Sequence, residues 1–460
     1  MPRESHAPEA HKGWEMPDYL IIGAGAAGIS AVEAIRSLDP IGEITQVCDE
    51  AAGYYSRPGL AYLLTGEISE DSLYPFQKVD FNRLKVHLIN GQVKRILPAE
   101  HRVELQNGQS LSYLRLLIAV GAHASEAKVQ GADLEGVVKL DNLEDARRIL
   151  KYAHKRRTAI IVGGGITALE LVEGFRARGL KVHYFLRGDR YWSNVLDETE
   201  SHIVEQKLKE EGIQIHYQTE LGEIIGKHGK VSGVLTTTGQ QYNCDIVGIA
   251  IGIQPRKGIG ESAGLKTDRG ISVDEYLCTS DPDIFAAGDV AQVYDPSIGK
   301  AILDSLWTPA RKQGYAAGLN MVGKKTAYYK GVPFNVTRLA GLTTTIIGAL
   351  GGREDDADVV GIVRGDSEGW RQLPDALVAQ ADFDVNRLRL MVGAQYLEGA
   401  LLMGDQTLSR AIHRLVVDRV DITPIRENIL KPDRSITDII GDFWTEFVNN
   451  RSREHAAIQP

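Results

Sequence analysis

Apolar and polar positions along this chain switch repeatedly between a strand period and a helix period. Tyr19-Leu20-Ile21-Ile22 is an unbroken apolar run of the kind that forms a buried strand. It leads into Gly23-Ala24-Gly25-Ala26-Ala27-Gly28 and then ISAVEAIRSL, whose apolar residues recur at helical spacing. The same order returns 140 residues later: Ala159-Ile160-Ile161-Val162, then Gly163-Gly164-Gly165-Ile166-Thr167-Ala168, then LELVEGFRARG. A strand, a glycine turn and a helix occurring twice predict a duplicated βαβ entry. Short β-like segments follow each copy. VHLIN, GQVKRILP, RVELQNG and YLRLLIAVGA come after the first, with Asn107-Gly108 as a hairpin dipeptide. IQIHYQTE, LGEIIGKHGKVSGVLTTTG and DIVGIAIGIQP come after the second. SDPDIFAAGDVAQV reads as a strand into a glycine turn, and LWTPARKQGYAAGLNMVG as a helix with Thr308 and Pro309 as its cap and first turn. From about Tyr328 strands dominate (TTTIIGAL, RLRLMVGAQYL, EGALLMGD), followed by the helical stretches LSRAIHRLVVD and ITDIIGDFWTEFV.

The predicted fold class is therefore α/β, with two Rossmann-like dinucleotide-binding domains and a C-terminal α+β domain. The expected boundaries are a flexible tail at 1–17, a discontinuous first domain at 18–125 and 251–330, a second domain at 126–250, a third at 331–450, and a tail at 451–460. At 460 residues the chain is long enough for about three domains. Composition adds two points. Glycine, 48 of 460, exceeds the usual ~7% and agrees with close backbone approach to a ligand. A net charge of −9, spread along the chain, argues against nucleic acid as the partner. Cys48, Cys244 and Cys278 form no C-x-x-C, so neither a disulfide framework nor a metal site is expected. No apolar run is long enough for a membrane span, and the N-terminal segment is polar without an apolar signal core. The expected location is cytoplasmic.

The first glycine turn carries specific chemistry. Gly23 makes the tight turn, Gly25 admits a pyrophosphate to the backbone, and Gly28 permits close helix–strand packing. The helix start aims N–H groups and the positive dipole end at phosphate. Asp49, 21 residues after Gly28 and followed by Glu50, stands where a carboxylate accepts ribose hydroxyls. The second turn has Gly163, Gly165 and Ala168, but Leu186 falls where an acid is due, with Arg187 and Arg190 beyond it. Arginine suits a 2′-phosphate, which favours NADPH. A solvated turn, with the nucleotide held by its backbone, leaves NADH open.

With GAGAAG, IAVGA at 118–122, GGGITALE, GIAIGIQP at 248–255 and DIFAAGDV at 283–290, the chain resembles the FAD-dependent pyridine nucleotide-disulfide oxidoreductases, flavoproteins with two dinucleotide domains. The resemblance implies that FAD is held by Gly23, Gly25, Ala26, Ala27, Gly28, Asp49, Glu50 and Arg57. It implies further contacts from the backbone of Val93, from the Ala119 and Gly121 crossover, from Gly288, and from Asp289 on a ribityl hydroxyl. The helix opening at Thr308–Pro309 would aim its N-terminus at the flavin pyrimidine edge, stabilising charge that develops on reduction, and Trp307 and Thr308 would be among the FAD contacts. The resemblance also makes the C-terminal α+β domain one of the interface type. NADH or NADPH would meet Gly163, Gly165, Ile166, Ala168, Glu170, Arg187 and Gly252. Glu170 matches an acidic residue that lies between flavin and nicotinamide, where it could receive the positive charge left when hydride departs; the plainer alternative is an ordinary helix-surface glutamate.

The segment Tyr55-Ser56-Arg57-Pro58-Gly59-Leu60 lacks the redox cysteines of thiol-disulfide relatives, and no His-Pro occurs. It is similar to the Y-x-R-P-x-L loop of rubredoxin reductases, ferredoxin reductases and the flavoprotein part of nitrite reductases. Tyr62 stands where ferredoxin reductases usually carry lysine. The implied activity is transfer of a hydride from NAD(P)H to FAD, then of electrons to a separate acceptor: a small iron–sulfur protein, a rubredoxin-like protein or a reductase subunit. Arg57 is the expected centre of a basic patch for an acidic partner. An oxidase, a disulfide reductase using Cys48 and a redox sensor like apoptosis-inducing factor are the rival readings, and a homodimer through the C-terminal domain is allowed. Simpler roles suffice elsewhere. Cys48 suits a small buried hydrophobe, His413 a packed or interface histidine, and Lys155-Arg156-Arg157 a solvated face. Trp307 either walls the flavin or fills a domain junction.

Overall fold

A computed structural model describes residues 18–153, 157–296, 299–348, 350, 377–383, 386–431 and 435–458. The expected N-terminal tail, the final residues of the C-terminal tail and the Lys155-Arg156 pair lie outside the described residues.

The first glycine turn joins the central strand Tyr19–Ile22, buried at every position, to the helix Ala26–Leu38. That strand pairs in parallel with Ile44–Cys48 on one side and Arg115–Ile118 on the other. Val86–Asn90 and Ile284–Ala286 complete a five-stranded parallel sheet. The last strand comes from the far side of the second repeat. A second five-stranded parallel sheet is centred on Thr158–Val162, flanked by Lys181–Phe185 and Ile246–Ile249, with Gln214–His216 and Val137–Val138 at its edges. The chain crosses between the two sheets through one antiparallel pair, Ala122–Ala124 with Ile253–Pro255.

The helix of the first turn packs on Trp307–Met321 with almost no separation. A Cβ added at Gly314 would stand 2.0 Å from the Ala27 carbonyl oxygen, and one at Gly318 would stand 2.5 Å from that of Ala31. Small residues on both helices allow this approach, which fixes the start of Trp307–Met321 beside the first glycine turn. That helix opens at Trp307, with Leu306 as its cap. Thr308 therefore lies within the first turn instead of capping it, because the chain is already helical one residue earlier. The stretch read as a loop after Pro58 is partly helical, at Gly59–Thr65.

The C-terminal part is a five-stranded antiparallel sheet in the order Phe334–Leu339, Leu342–Gly348, Leu397–Met403, Asn386–Val392 and Leu377–Phe383. The helices Ser409–Val417, Thr423–Leu430 and Ile436–Ile458 follow it. A core of Leu388, Leu390, Ile412, Leu415 and Ile439 fills the space between sheet and helices. No described helix is long and apolar enough to cross a membrane.

Candidate functional site

A cleft of about 790 Å³ opens at the carboxyl ends of the first sheet and reaches the second turn and the C-terminal sheet. This is the crevice where open α/β sheets bind ligands. Gly23, Gly25, Ala26 and Ala27 line it from the first turn, and Asp49, Glu50 and Arg57 from the strand end and the segment beyond. Val93, Ala119, Gly121, Gly288, Asp289 and Trp307 also line it, and Ile166 and Glu170 reach it from the second turn. Gly28, Thr308, Gly163, Gly165, Ala168, Arg187 and Gly252 do not.

The two turns are built alike. Gly23 has φ +110°, and a Cβ there would stand 2.2 Å from the Ala119 oxygen. Gly163 has φ +145°, and its Cβ would stand 2.1 Å from the Ala250 oxygen. Each is confined to glycine by both conformation and contact. Gly28 allows no side chain either, since a Cβ would meet the Gly23 oxygen at 2.1 Å, whereas a Cβ at Gly25 would meet nothing within 4 Å. The space in front of Gly25 is what a phosphate group requires. None of the helices that begin at Ala26, Ile166 and Trp307 has a side-chain cap, so their first N–H groups face outward. Near Trp307, the buried Ser305 Oγ and Asp304 Oδ1 have no hydrogen-bond partner. Burial and the nearby Asp289 and Asp295 push the Asp304 carboxyl up to about 6, against the opposing pull of Lys330. Outward N–H groups, open space at Gly25 and unpartnered buried oxygens all fit a bound dinucleotide.

Strand pairing corrects one sequence-based expectation. In the first sheet Ile22 pairs with Val47, and in the second Val162 pairs with Phe185. Val47 and Phe185 are thus equivalent, so Cys48 corresponds to Leu186 and Asp49 to Arg187. Arg187 itself, not Leu186, occupies the position equivalent to Asp49, and it is exposed. Arg190 is turned aside onto Asp189 and the Ser193 carbonyl.

Arg57 does not form an open basic patch. It is tied to the Glu50 carboxylate and donates to the Asp141 carbonyl at 2.5 Å. Tyr55 donates to Glu50 at 2.7 Å and accepts from the Leu143 N–H at 3.0 Å. The guanidinium thus neutralises Glu50 inside the cleft wall, leaving Asp49 as the exposed acid at the strand end. Cys48 lines the cleft, and burial, with Glu50 and Asp49 beside it, raises its thiol pKa. A thiol so placed is a poor nucleophile. Trp307 is 43% exposed at the mouth, with the Arg311 guanidinium 5.3 Å from its ring centre. It walls the cleft and does not fill a junction. His413 packs against Phe334 with the rings tilted and their centres 4.5 Å apart, and burial lowers its pKa.

Sequence reasoning missed the third wall. Asn335, Val336, Thr337 and Arg338 enter from the first strand of the C-terminal sheet, and Glu173 from the helix Ile166–Ala177. Glu173 was detectable: it lies three residues after Glu170, on the same helix face. The strand residues carry no local signal, because only tertiary packing brings them to the cleft.

Residues 17–314 match the family described as pyridine nucleotide-disulphide oxidoreductase, and the chain belongs to it. With that membership come FAD and NAD(P)H as cofactors and oxidoreduction as the activity. The chain is 30% identical, over 339 residues, to an NADH oxidase of Methanocaldococcus jannaschii, covering 70% of this chain and 74% of the relative. It is also 30% identical to the ferredoxin–NAD(+) reductase component of a 3-phenylpropionate/cinnamic acid dioxygenase of Photorhabdus laumondii, over 73% of this chain and 85% of the relative. In fold it superposes on a covalent putidaredoxin reductase–putidaredoxin complex with a TM-score of 0.80 at 21% identity, covering 93% of this chain and 99% of the other.

Proposed function

We propose that the cleft binds FAD along its length and that NADPH enters from the second turn, so that hydride passes to the flavin near Glu170 and electrons leave singly to a small iron–sulfur or rubredoxin-like protein. The observation that carries this is the convergence of three uncapped helix starts, at Ala26, Ile166 and Trp307, on or beside one cleft. In this reading, residues 18–125 and 251–330 hold FAD, 126–250 hold the nicotinamide nucleotide, and 331–450 supply the outer wall. Gly23, Gly25, Ala26 and Ala27 cradle the pyrophosphate, while Asp49 takes the adenosine ribose and Asp289 the ribityl chain. Ser305 and the N–H groups at Trp307 meet the flavin. Arg187 selects the 2′-phosphate. When bound, FAD supplies the two-electron to one-electron conversion; the protein orients it and tunes its potential. Glu170, which lines the cleft, balances positive charge on the oxidised nicotinamide in this reading.

The acceptor follows from what the chain lacks and what its relatives do. No cysteine pair is present to relay electrons, and one relative is named for ferredoxin reduction and another for NADH oxidation. We place the protein in the cytoplasm. The decisive experiment is to reduce the FAD-loaded protein with NADPH under anaerobic conditions, then mix it with a [2Fe–2S] ferredoxin, with rubredoxin, or with oxygen. Fast, saturable reoxidation by an iron–sulfur protein or rubredoxin is expected. Rapid turnover with oxygen alone would make it an oxidase, and a protein that reduces once and then stalls with every acceptor would make it a sensor.

A further inference from the structure

Glu173 lies one helical turn beyond Glu170 and faces the same cleft. Its surroundings do not neutralise it. On its own helix the neighbouring charge is Glu170, a second carboxylate. From the C-terminal hairpin, the Gly341 N–H donates to Glu173 Oε1 at 3.2 Å, and Arg338 lies close by. The Arg338 guanidinium makes no hydrogen bond to Glu173, however, and its buried Nε has no partner among the described residues. It grips both oxygens of Glu67, one at 2.7 Å, and lies 5.1 Å from the Tyr62 ring centre. From beneath, Tyr184 and Tyr191 present fully buried hydroxyls without hydrogen-bond partners, and Glu211 adds a third negative group. Burial, then repulsion from Glu170 and Glu211, pushes the Glu173 carboxyl up to about 7 despite Arg338.

We propose that Glu173 is a second electrostatic residue of the nicotinamide site, holding a proton while that end of the cleft is empty or contains the reduced ring, and releasing it when the oxidised, cationic ring is bound. This rests on the assignment of the Glu170 end of the cleft to nicotinamide. Hydride transfer moves two electrons and a proton from NAD(P)H to the flavin, so the positive charge left on the ring is first matched by the negative charge gained by the flavin. Once the flavin's electrons have gone to the acceptor, or when oxidised nucleotide binds to oxidised protein, the ring's charge has no such partner, and loss of a proton from Glu173 to solvent supplies one negative charge beside it. Two carboxylates on one partly buried wall repel each other, and a cation brought to that wall favours the ionised form of Glu173.

The test uses oxidised, FAD-loaded protein and calorimetric titration in phosphate and in Tris, whose different ionisation enthalpies report protons released. NADP⁺ is compared with 2′-phospho-ADP-ribose, which carries the same phosphate but no nicotinamide. Near pH 7 the wild type should release a fraction of a proton with NADP⁺ beyond any released with the analogue. Its NADP⁺ affinity should rise by up to about tenfold per pH unit below neutrality and level off above it. Glu173→Gln, with normal flavin content, should lose the ring-dependent release and show a flat ratio of NADP⁺ to analogue affinity. Glu170→Gln should keep the release but at lower pH, because the neighbouring charge is gone. Ring-dependent release that persists in Glu173→Gln, or is missing from the wild type, overturns the proposal. NADP⁺ that fails to bind or to perturb the flavin spectrum, while 2′-phospho-ADP-ribose binds normally, instead overturns the assignment of that end of the cleft.

Discussion

At the scale of single residues, charge is arranged by burial as much as by pairing. Glu50 is paired with Arg57, Asp49 is exposed, and burial raises the pKa of the Glu173 carboxyl. The last of these has a consequence for folding. The Glu173 carboxyl moves from an ordinary 4.5 to about 7, so between those values the folded chain keeps a proton that the unfolded chain has lost. Stability contributed at this site is therefore present below pH 4.5 and lost as pH rises through 7. Glu173→Gln needs no proton. Its melting temperature should exceed that of the wild type at pH 8, and the advantage should vanish at pH 4.5; an identical difference at both would show that Glu173 is not the titrating group. Arg187→Ala should weaken NADPH more than NADH, by about ten- to a hundredfold, since a charge-assisted contact is worth roughly 1.5–3 kcal/mol. Stopped-flow flavin reduction with each nucleotide measures this, and equal losses would remove Arg187 from the phosphate site. The arginine itself was legible in the sequence. Its register was not, because the position equivalent to Asp49 is set by the pairing of Val162 with Phe185, not by counting from the glycines.

At the scale of elements, both glycine-turn units could be read from sequence because strand, turn and helix signals coincide within about 30 residues. The helix Gly59–Thr65 was hidden by its seven-residue length, too short to display a period, and by the Arg57-Pro58 that precedes it. What sequence could not convey is how closely Ala26–Leu38 and Trp307–Met321 approach, since glycine has the same symbol whether it is crowded or free. Gly314 and Gly441 make the contrast measurable. Both lie in helices, but a Cβ at Gly314 would stand 2.0 Å from a backbone oxygen, whereas one at Gly441 would meet nothing within 4 Å. Gly314→Ala should destabilise by about 1–3 kcal/mol and release flavin, because the start of Trp307–Met321 must shift. Gly441→Ala should stabilise by about 0.4–1 kcal/mol. Thermal melts read both signs. A neutral Gly314→Ala would mean that the two helices can separate without loss of the cleft.

At the scale of the whole molecule, the cleft depends on three parts held in register by arginines. Arg338 joins the C-terminal hairpin to Glu67, Arg178 donates to the carbonyls of Leu63 and Leu64, and Arg387 and Arg389 meet Asp197 and Glu200 at the start of the helix Glu198–Glu210. Within this frame electrons have few routes. Burial raises the thiol pKa of Cys48, and lifts Cys244 to about 12 and Cys278 to about 11, so none of the three is readily ionised near neutral pH. Cys278 lies on the far side of the first sheet's edge strand, bridging to Phe285, and Cys244 belongs to the core of the second unit. Without a second two-electron centre, anaerobic titration should consume one NAD(P)H per FAD. Alkylating the accessible cysteines should leave NAD(P)H-dependent ferricyanide reduction largely intact, provided flavin content is unchanged. A requirement for two equivalents would demand a redox-active cysteine pair involving Cys48, and electrons would then leave as a thiol pair. One equivalent leaves the exposed Trp307 edge of the cleft as the exit, where a one-electron protein acceptor can approach the flavin without a relay.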